Sequence, residues 1–431
     1  MKLSFVSKLF RAFPVAFFIL RWLFISAAVG IVVGSASAFF LISLDWATNF
    51  RENHRWVIIL LPAAGFAIGM MYHYFGKEVE AGNNLLLENI NRPSKIIPVK
   101  MAPFVLIGTI ATHLFGGSAG REGTALQMGG SIADQLTSIL KLRPRDRKLI
   151  LVAGIAAGFG SVFGTPLAGA VFGLEVFLIG RLRYDALFPA FAASICADLT
   201  TRAWQVGHTH YHIPVMPDYN TVHILWAIIA GSIFGICSIF FTELTHRIGS
   251  FFKASIKFPP LRPVAGGIIV VSAVWLMDTT RYIGLGVPVI VESFSQPLPA
   301  YDFVLKILFT AVTLGAAFKG GEVTPLFFIG ATLGNALSAI IPLPTGLLAG
   351  MGFVAVFAGA ANTPLACTLM AMELFGAECG TFVALACVTA YFFSGNRGIY
   401  GAQVIGQPKH LLFGRKEGKT LSAIRNKPEK L

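Results

Sequence analysis

Two glutamates, each set among glycines in an apolar chain, are the residues best placed to do chemistry. Glu122 lies in Gly120-Arg121-Glu122-Gly123-Thr124, and Glu322 lies in Gly320-Gly321-Glu322-Val323-Thr324-Pro325. A carboxylate at membrane depth is costly, so by default it marks a functional site. A helix-like run, Ala125 to Leu140, follows Glu122. Helix N-termini carry unpaired N–H groups and a partial positive charge, which attract anions. A glutamate there can fill an anion's place when charged and vacate it when protonated. That chemistry is a gate linking anions to protons. The bland alternative is a buried ion pair of Glu122 with Arg121 or His113. After Glu322, Thr324 suits an N-cap and Pro325 the first helical turn, so a helix is expected to start there. Its N–H groups and the Thr324 hydroxyl could face the same anion, with Glu322 either a second working carboxylate or a cap offsetting the macrodipole.

Two further segments could converge on such a site. Gly82-Asn83-Asn84 opens the apolar Leu85-Leu86-Leu87 and supplies amide donors, unless it is only a turn or cap. Gly395-Asn396-Arg397-Gly398-Ile399-Tyr400-Gly401 follows the last apolar segment and offers the Tyr400 hydroxyl, unless Tyr400 belongs to an interfacial aromatic belt. His208-Thr209-His210-Tyr211-His212 alternates histidines in a polar loop, but nothing else supports a metal there. No metal site, cofactor or enzyme motif (zinc-protease, phosphate-loop or dinucleotide) is expected. Glu175 and Glu373 recur at equivalent places, which suggests capping or helix pairing.

The elements that must position these residues are membrane spans. The chain is 55% hydrophobic and only 13% charged, about half the charge of a soluble protein. Mean hydropathy is +0.71. The net charge of +13 comes largely from Lys2, Lys8 and Arg11, from residues 141–148, and from residues 409–430. These flank apolar segments, so the positive-inside rule explains them better than nucleic acid, and no nucleic-acid partner is expected. Both termini and the 141–148 loop are therefore expected to be cytoplasmic. Residues 1–21 read as an amphipathic lead-in, interrupted at Arg21-Trp22, before a first retained span over 22–44. The five cysteines are scattered and imply no disulfide framework. After Gly406 the sequence is a basic tail, 407–431, with no soluble regulatory domain expected.

Many apolar segments are too short to cross a bilayer perpendicularly, which needs about 20 residues. Short, Gly/Pro-interrupted segments at matching places in two halves mark broken helices around a midplane site. Gly82 with Glu88 matches Gly286 with Glu292, Gly120 to Thr124 matches Gly321 to Pro325, and Thr165-Pro166-Leu167-Ala168 matches Thr363-Pro364-Leu365-Ala366. The two repeats span about 56–200 and 264–394. The basic loop 141–148 corresponds to the uncharged Pro342-Leu343-Pro344-Thr345-Gly346, so equivalent loops are expected on opposite sides, as in inverted repeats.

On these residues the chain resembles the CLC family of anion channels and anion/proton antiporters. Gly120 to Thr124 resembles the family's Gly-(Lys/Arg)-Glu-Gly-Pro, and Gly321 to Pro325 its Gly-x-Phe-x-Pro. Gly82-Asn83 resembles its Gly-Ser-Gly-x-Pro, Tyr400 its pore tyrosine, and Pro166 to Gly169 is also typical. The likeness covers about residues 20 to 406. Asn83 replaces the serine, Thr124 the proline after Glu-Gly, and Val323, followed by Thr324, the phenylalanine. Val176 replaces the carboxylate that follows Glu175 in chloride/proton antiporters. These departures resemble the fluoride/proton antiporter branch. The resemblance implies an all-α polytopic membrane protein of the CLC-type fold, with two inverted-topology repeats, broken helices and a homodimer with one pore per subunit. It implies a transporter rather than an enzyme, in the bacterial inner membrane, with fluoride ion and protons as partners. Fluoride would leave the cytoplasm on the inward proton gradient, giving fluoride resistance. Glu122 would be the gating glutamate and Glu322 an additional conducting or proton-linked carboxylate. Asn83, Gly120, Gly123, Thr124, Val323, Thr324 and Tyr400 would contact or select the ion. A chloride channel or chloride/proton antiporter is the alternative.

Overall fold

The protein is described from a computed structural model that covers residues 13–93, 95–410, 414 and 416–426. Among these residues there are 17 α-helices and one two-stranded parallel pair, β1 (Leu178–Ile179) with β2 (Val404–Ile405). Three stretches are long and apolar enough to cross a membrane: α1 (Pro14–Asn53), residues 55–75, and the later helix Thr221–Ser255. The second is a 3₁₀ turn running into α2 (Leu61–Phe75). The first expected boundary moves. Helix α1 starts at Pro14, suited to a first helical turn, and runs unbroken through Arg21-Trp22. Arg21 does not end it because its guanidinium reaches Asp146 at 2.8 Å. Residues 1–12 of the expected lead-in lie outside the described residues.

The first repeat continues with α3 (Asn83–Asn91), α4 (Met101–Leu114), α5 (Glu122–Ile139), α6 (Pro144–Phe163), α7 (Pro166–Glu175) and α8 (Leu187–Ala203). Then α9 (Thr221–Ser255) leads to α10 (Leu261–Leu276) and the second repeat: α11 (Val287–Glu292), α12 (Asp302–Gly315), α13 (Val323–Leu337), α14 (Thr345–Ala361), α15 (Pro364–Phe375) and α16 (Gly380–Phe393). A short α17 (Leu421–Asn426) closes the described chain. At 1.5 Å per residue, α6 places Gly164 about 30 Å from the basic 141–148 loop, the depth of a bilayer core.

The repeats agree in backbone detail. Left-handed residues recur in register: Gly82 (φ 57°) with Gly286 (75°), Gly116 (89°) with Ala317 (73°), and Gly164 (69°) with Asn362 (60°). Asp134 Oδ2 accepts the Ile97 N–H at 2.8 Å, and the equivalent Asn335 Oδ1 accepts the Leu298 N–H at 2.9 Å. Both repeats also pack their site helix against the next through bare glycine. A Cβ on Gly129 would lie 2.3 Å from the Gly154 carbonyl oxygen, and one on Gly330 would lie 1.9 Å from that of Gly352. Small residues let membrane helices approach where apolar burial gives no drive.

The two halves also cap one another. Glu373 of α15 accepts the N–H groups of Leu167 and Ala168 at 3.0 and 2.8 Å, opening α7. Glu175 of α7 accepts those of Leu365 and Ala366 at 3.2 and 2.9 Å, opening α15. Each carboxylate thus satisfies orphan donors of a helix too short to span. Glu175→Ala should cost about 3 kcal/mol, since two charge-assisted hydrogen bonds are lost and the donors stay buried. A drop of several degrees in the unfolding temperature of the detergent-solubilised protein checks this; an unchanged midpoint would contradict it.

Candidate functional site

The glycine loops of the two halves meet at one point. Gly120 and Gly321 form an antiparallel bridge, with N–H to O distances of 2.6 and 2.8 Å in the two directions. This sets the N-termini of α5 and α13 against each other. The approach depends on missing side chains: a Cβ on Gly321 would meet the Gly123 nitrogen at 2.6 Å, and one on Gly120 would meet Glu122 Oε2 at 2.8 Å.

Glu122 is the first residue of α5, three residues earlier than the apolar run suggests, and is fully buried. Its carboxylate is held by the other half of the chain. Oε2 accepts the Thr324 N–H at 3.0 Å, in the first turn of α13, and Oε1 accepts the Thr324 hydroxyl. The Arg121 N–H also reaches Oε2 at 3.1 Å, and Arg121 Nε lies 3.6 Å from Oε1. A carboxylate oxygen there occupies the position a small anion would take at a helix N-terminus. Thr324 does this from inside the helix; the N-cap is Glu322, not Thr324 as the sequence suggests.

Asn83 and Tyr400 approach the same point from the other side. Asn83 Nδ2 lies 3.1 Å from where Gly123 would carry a Cβ. Asn83 Oδ1 and the Tyr400 hydroxyl are buried with no hydrogen-bond partner among the described residues. Both line a cavity about one water in size, walled by Leu86, Leu126, Phe172 and Val176. Buried polar groups are normally satisfied, so the Tyr400 hydroxyl is poised to donate to a ligand, whereas Asn83 Oδ1 can only accept and it is Asn83 Nδ2 that offers donors. Asn84 faces elsewhere: its Oδ1 accepts the Ala402 N–H at 2.9 Å and so holds the segment after Tyr400. That segment converges on the site without opening a helix. Gln403 fixes it instead, donating to the Val176 and Ala361 carbonyls at 2.6 and 2.7 Å. No sequence pattern marks Gln403, because its partners come from distant segments.

Glu322 is set apart from this cluster. It lines a cavity of about 690 Å³ together with Glu80, Asn84, Lys253, Lys319 and Arg425. Val323, the first residue of α13, is wholly buried. The Thr124 hydroxyl is committed to that of Thr109, 2.6 Å away on α4. Of the residues singled out, Glu122, Gly120, Gly123, Thr324 and Asn83 therefore come together, Tyr400 adjoins them, Glu322 faces the cavity, and Thr124 and Val323 are buried in the first turns of α5 and α13.

Comparison with known proteins places this geometry. The family model described as voltage gated chloride channel matches residues 64–395. The chain belongs to the CLC family. A CLC relative from Pseudomonas syringae pv. tomato, named chloride/fluoride channel protein, is 56% identical over 399 residues, covering 91% of this chain and 88% of its own. A solved CLC structure, described as a CLC-type fluoride/proton antiporter, superposes with a TM-score of 0.87 at 34% identity, over 90% of this chain and 98% of that one. A slow cyanobacterial Cl⁻/H⁺ antiporter shares the fold, with a TM-score of 0.77 at 17% identity over 94% and 97% of the two chains. This CLC protein is thus a multi-pass membrane transporter built of two inverted repeats, and not an enzyme.

Proposed function

We propose that this CLC protein is a fluoride/proton antiporter of the bacterial inner membrane, working as a homodimer, that exports cytoplasmic fluoride on the inward proton gradient and so gives fluoride resistance. One observation carries the reading: the Glu122 carboxylate sits on the Thr324 N–H and hydroxyl at the N-terminus of α13. An anion and a proton then compete for one group. Fluoride taking those donors expels the carboxylate; the carboxylate leaves most readily once protonated. The swap moves one species each way.

Fluoride is small and strongly hydrated, so stripping its water needs strong replacement donors. The Thr324 N–H and hydroxyl, the Asn83 amide and the Tyr400 hydroxyl supply them in one small space. The relative named for both chloride and fluoride and the 34%-identical antiporter support the ion assignment. Val176, 2% exposed, cannot carry a proton. Glu322, on the wall of the larger cavity, is the group assigned to that task. The same cavity holds Arg425 of the basic tail, and under the positive-inside rule this supports a cytoplasmic opening. The second reading is chloride transport. It is favoured by a Vibrio vulnificus H⁺/Cl⁻ exchange transporter, 26% identical over 82% of this chain and 81% of its own.

Proteoliposomes loaded with fluoride or chloride, with internal pH recorded, decide between them. Fluoride efflux should far exceed chloride efflux and should acidify the lumen. Fast chloride efflux would establish the second reading. Fluoride efflux without proton movement would make the protein a channel.

A further inference from the structure

The histidine-bearing loop has no part in the mechanism so far, yet it lies over the gate. Val206 packs with Leu41, Ala125 and Val162, so the loop is seated on the first turns of α5 and the end of α6. Two residues on, the His208 ring presses on Gly164: a Cβ there would meet the ring at 2.6 Å. Gly164 is at the end of α6 away from the basic 141–148 loop, and Glu122 begins the helix that runs back to that loop. The positive-inside rule then puts His208 and the Glu122 end of α5 together toward the external side. Tyr211 anchors the loop by ring contacts with Phe294, Phe353 and Phe375.

Both His208 ring nitrogens are buried, and the ring's polar neighbour is the Val162 backbone at the end of α6, with no side-chain partner among the described residues; Arg121 Nε, Thr165 Oγ1 and Asp198 Oδ1 are buried and unpaired nearby. The charged groups facing the ring are Arg121, ahead of α5, and Asp198 and Arg202 of α8. The end of α6 presents no titratable side chain to it. Arg121 is also the neighbour of Glu122, at 3.6 Å. One guanidinium therefore adjoins the gate carboxylate and also acts on the imidazole through its charge.

We propose that His208 is the external proton-loading residue for Glu122. This rests on the antiport reading. A proton taken from external water onto the imidazole passes from its N–H to a Glu122 oxygen, leaving neutral imidazole and a carboxylic acid. The imidazole then takes the next proton from outside. The surroundings suit a transient carrier: burial, then the Arg121 charge, push the imidazole down to about 4, so it releases its proton readily. Gly207 beside it has open space around it, and His210 is exposed, which gives solvent a way in.

The test uses the full chain in fluoride-loaded proteoliposomes, acidified stepwise outside, for wild type, His208→Ala, His208→Gln and the control His212→Ala. Both His208 variants should slow coupled exchange about a hundredfold, at the low end of proton-transfer losses. They should also flatten its rise with external acidity, and imidazole added outside should restore His208→Ala alone. His212→Ala should behave as wild type. A His208→Ala protein with wild-type rate and pH profile, or a slow one indifferent to imidazole, overturns the assignment while wild-type coupling keeps the antiport reading intact. Wild type moving fluoride without protons overturns both.

Discussion

Glu122→Gln should transport fluoride, if at all, without moving protons. The amide is nearly the same size and can still accept the Thr324 N–H, so the fold has no reason to change. What it loses is the charge and the ability to take up a proton. Glu122 holds Thr324 by two bonds, and hydrogen bonds to a charged carboxylate are worth about 1.5–3 kcal/mol each, against about 1 for neutral ones. An amide therefore competes poorly with fluoride for the same donors. It also has no protonated form in which to leave. Internal pH recorded during fluoride efflux should stay flat in the variant and fall in the wild type. A variant that still acidifies the lumen in step with fluoride would remove Glu122 from the coupling and leave the proposed exchange without its central group.

Gly321→Ala should be nearly as damaging, by geometry alone. The new methyl would sit 2.6 Å from the Gly123 nitrogen and 3.2 Å from its Cα, and these are backbone atoms that cannot swing aside. To fit it, the two glycine loops must part, and the bonds between Gly120 and Gly321 must lengthen. The Thr324 donors then retreat from Glu122 and Asn83. Displacements of about 1 Å at a working site cost on the order of a hundredfold in rate. Fluoride efflux should fall by about that factor, while gel filtration in detergent shows the same monodisperse peak. Gly207→Ala, with nothing near its Cβ, should transport as wild type. An active Gly321→Ala would mean that the close approach of the two helix starts is dispensable.

Much of this was legible in the sequence, and the reason is the repeat. Each half carries the same glycine-marked breaks, and a break that needs positive φ leaves a trace in residue type, as at Gly82 and Gly286 or Gly164 and Asn362. Periodicity and composition then gave spans and short helices. Three things were not legible. Glu122 is bonded to Thr324, about 200 residues away, and only tertiary pairing of the two glycine loops reveals which helix receives the carboxylate. Asn83 and Asn84 are indistinguishable by type, yet a 100° turn of α3 sends one toward Gly123 and the other to Ala402. The glycines around Tyr400 resemble a helix opening, but Gln403 ties that segment to Val176 and Ala361, and it makes a single turn at Gly401-Ala402 before β2. Local pattern predicts elements, whereas these outcomes depend on partners far along the chain.

The exchange of caps between Glu175 and Glu373 bears on how the protein is made. Leu167 and Ala168 wait for a carboxylate 206 and 205 residues downstream. At a synthesis rate of ~5–20 residues per second, that is about 10–40 s during which the start of α7 is already outside the ribosome and still uncapped. Neither half can be a finished unit on its own. The nascent first half must keep those N–H groups hydrated, or sheltered by the insertion machinery, until the second half arrives to complete it.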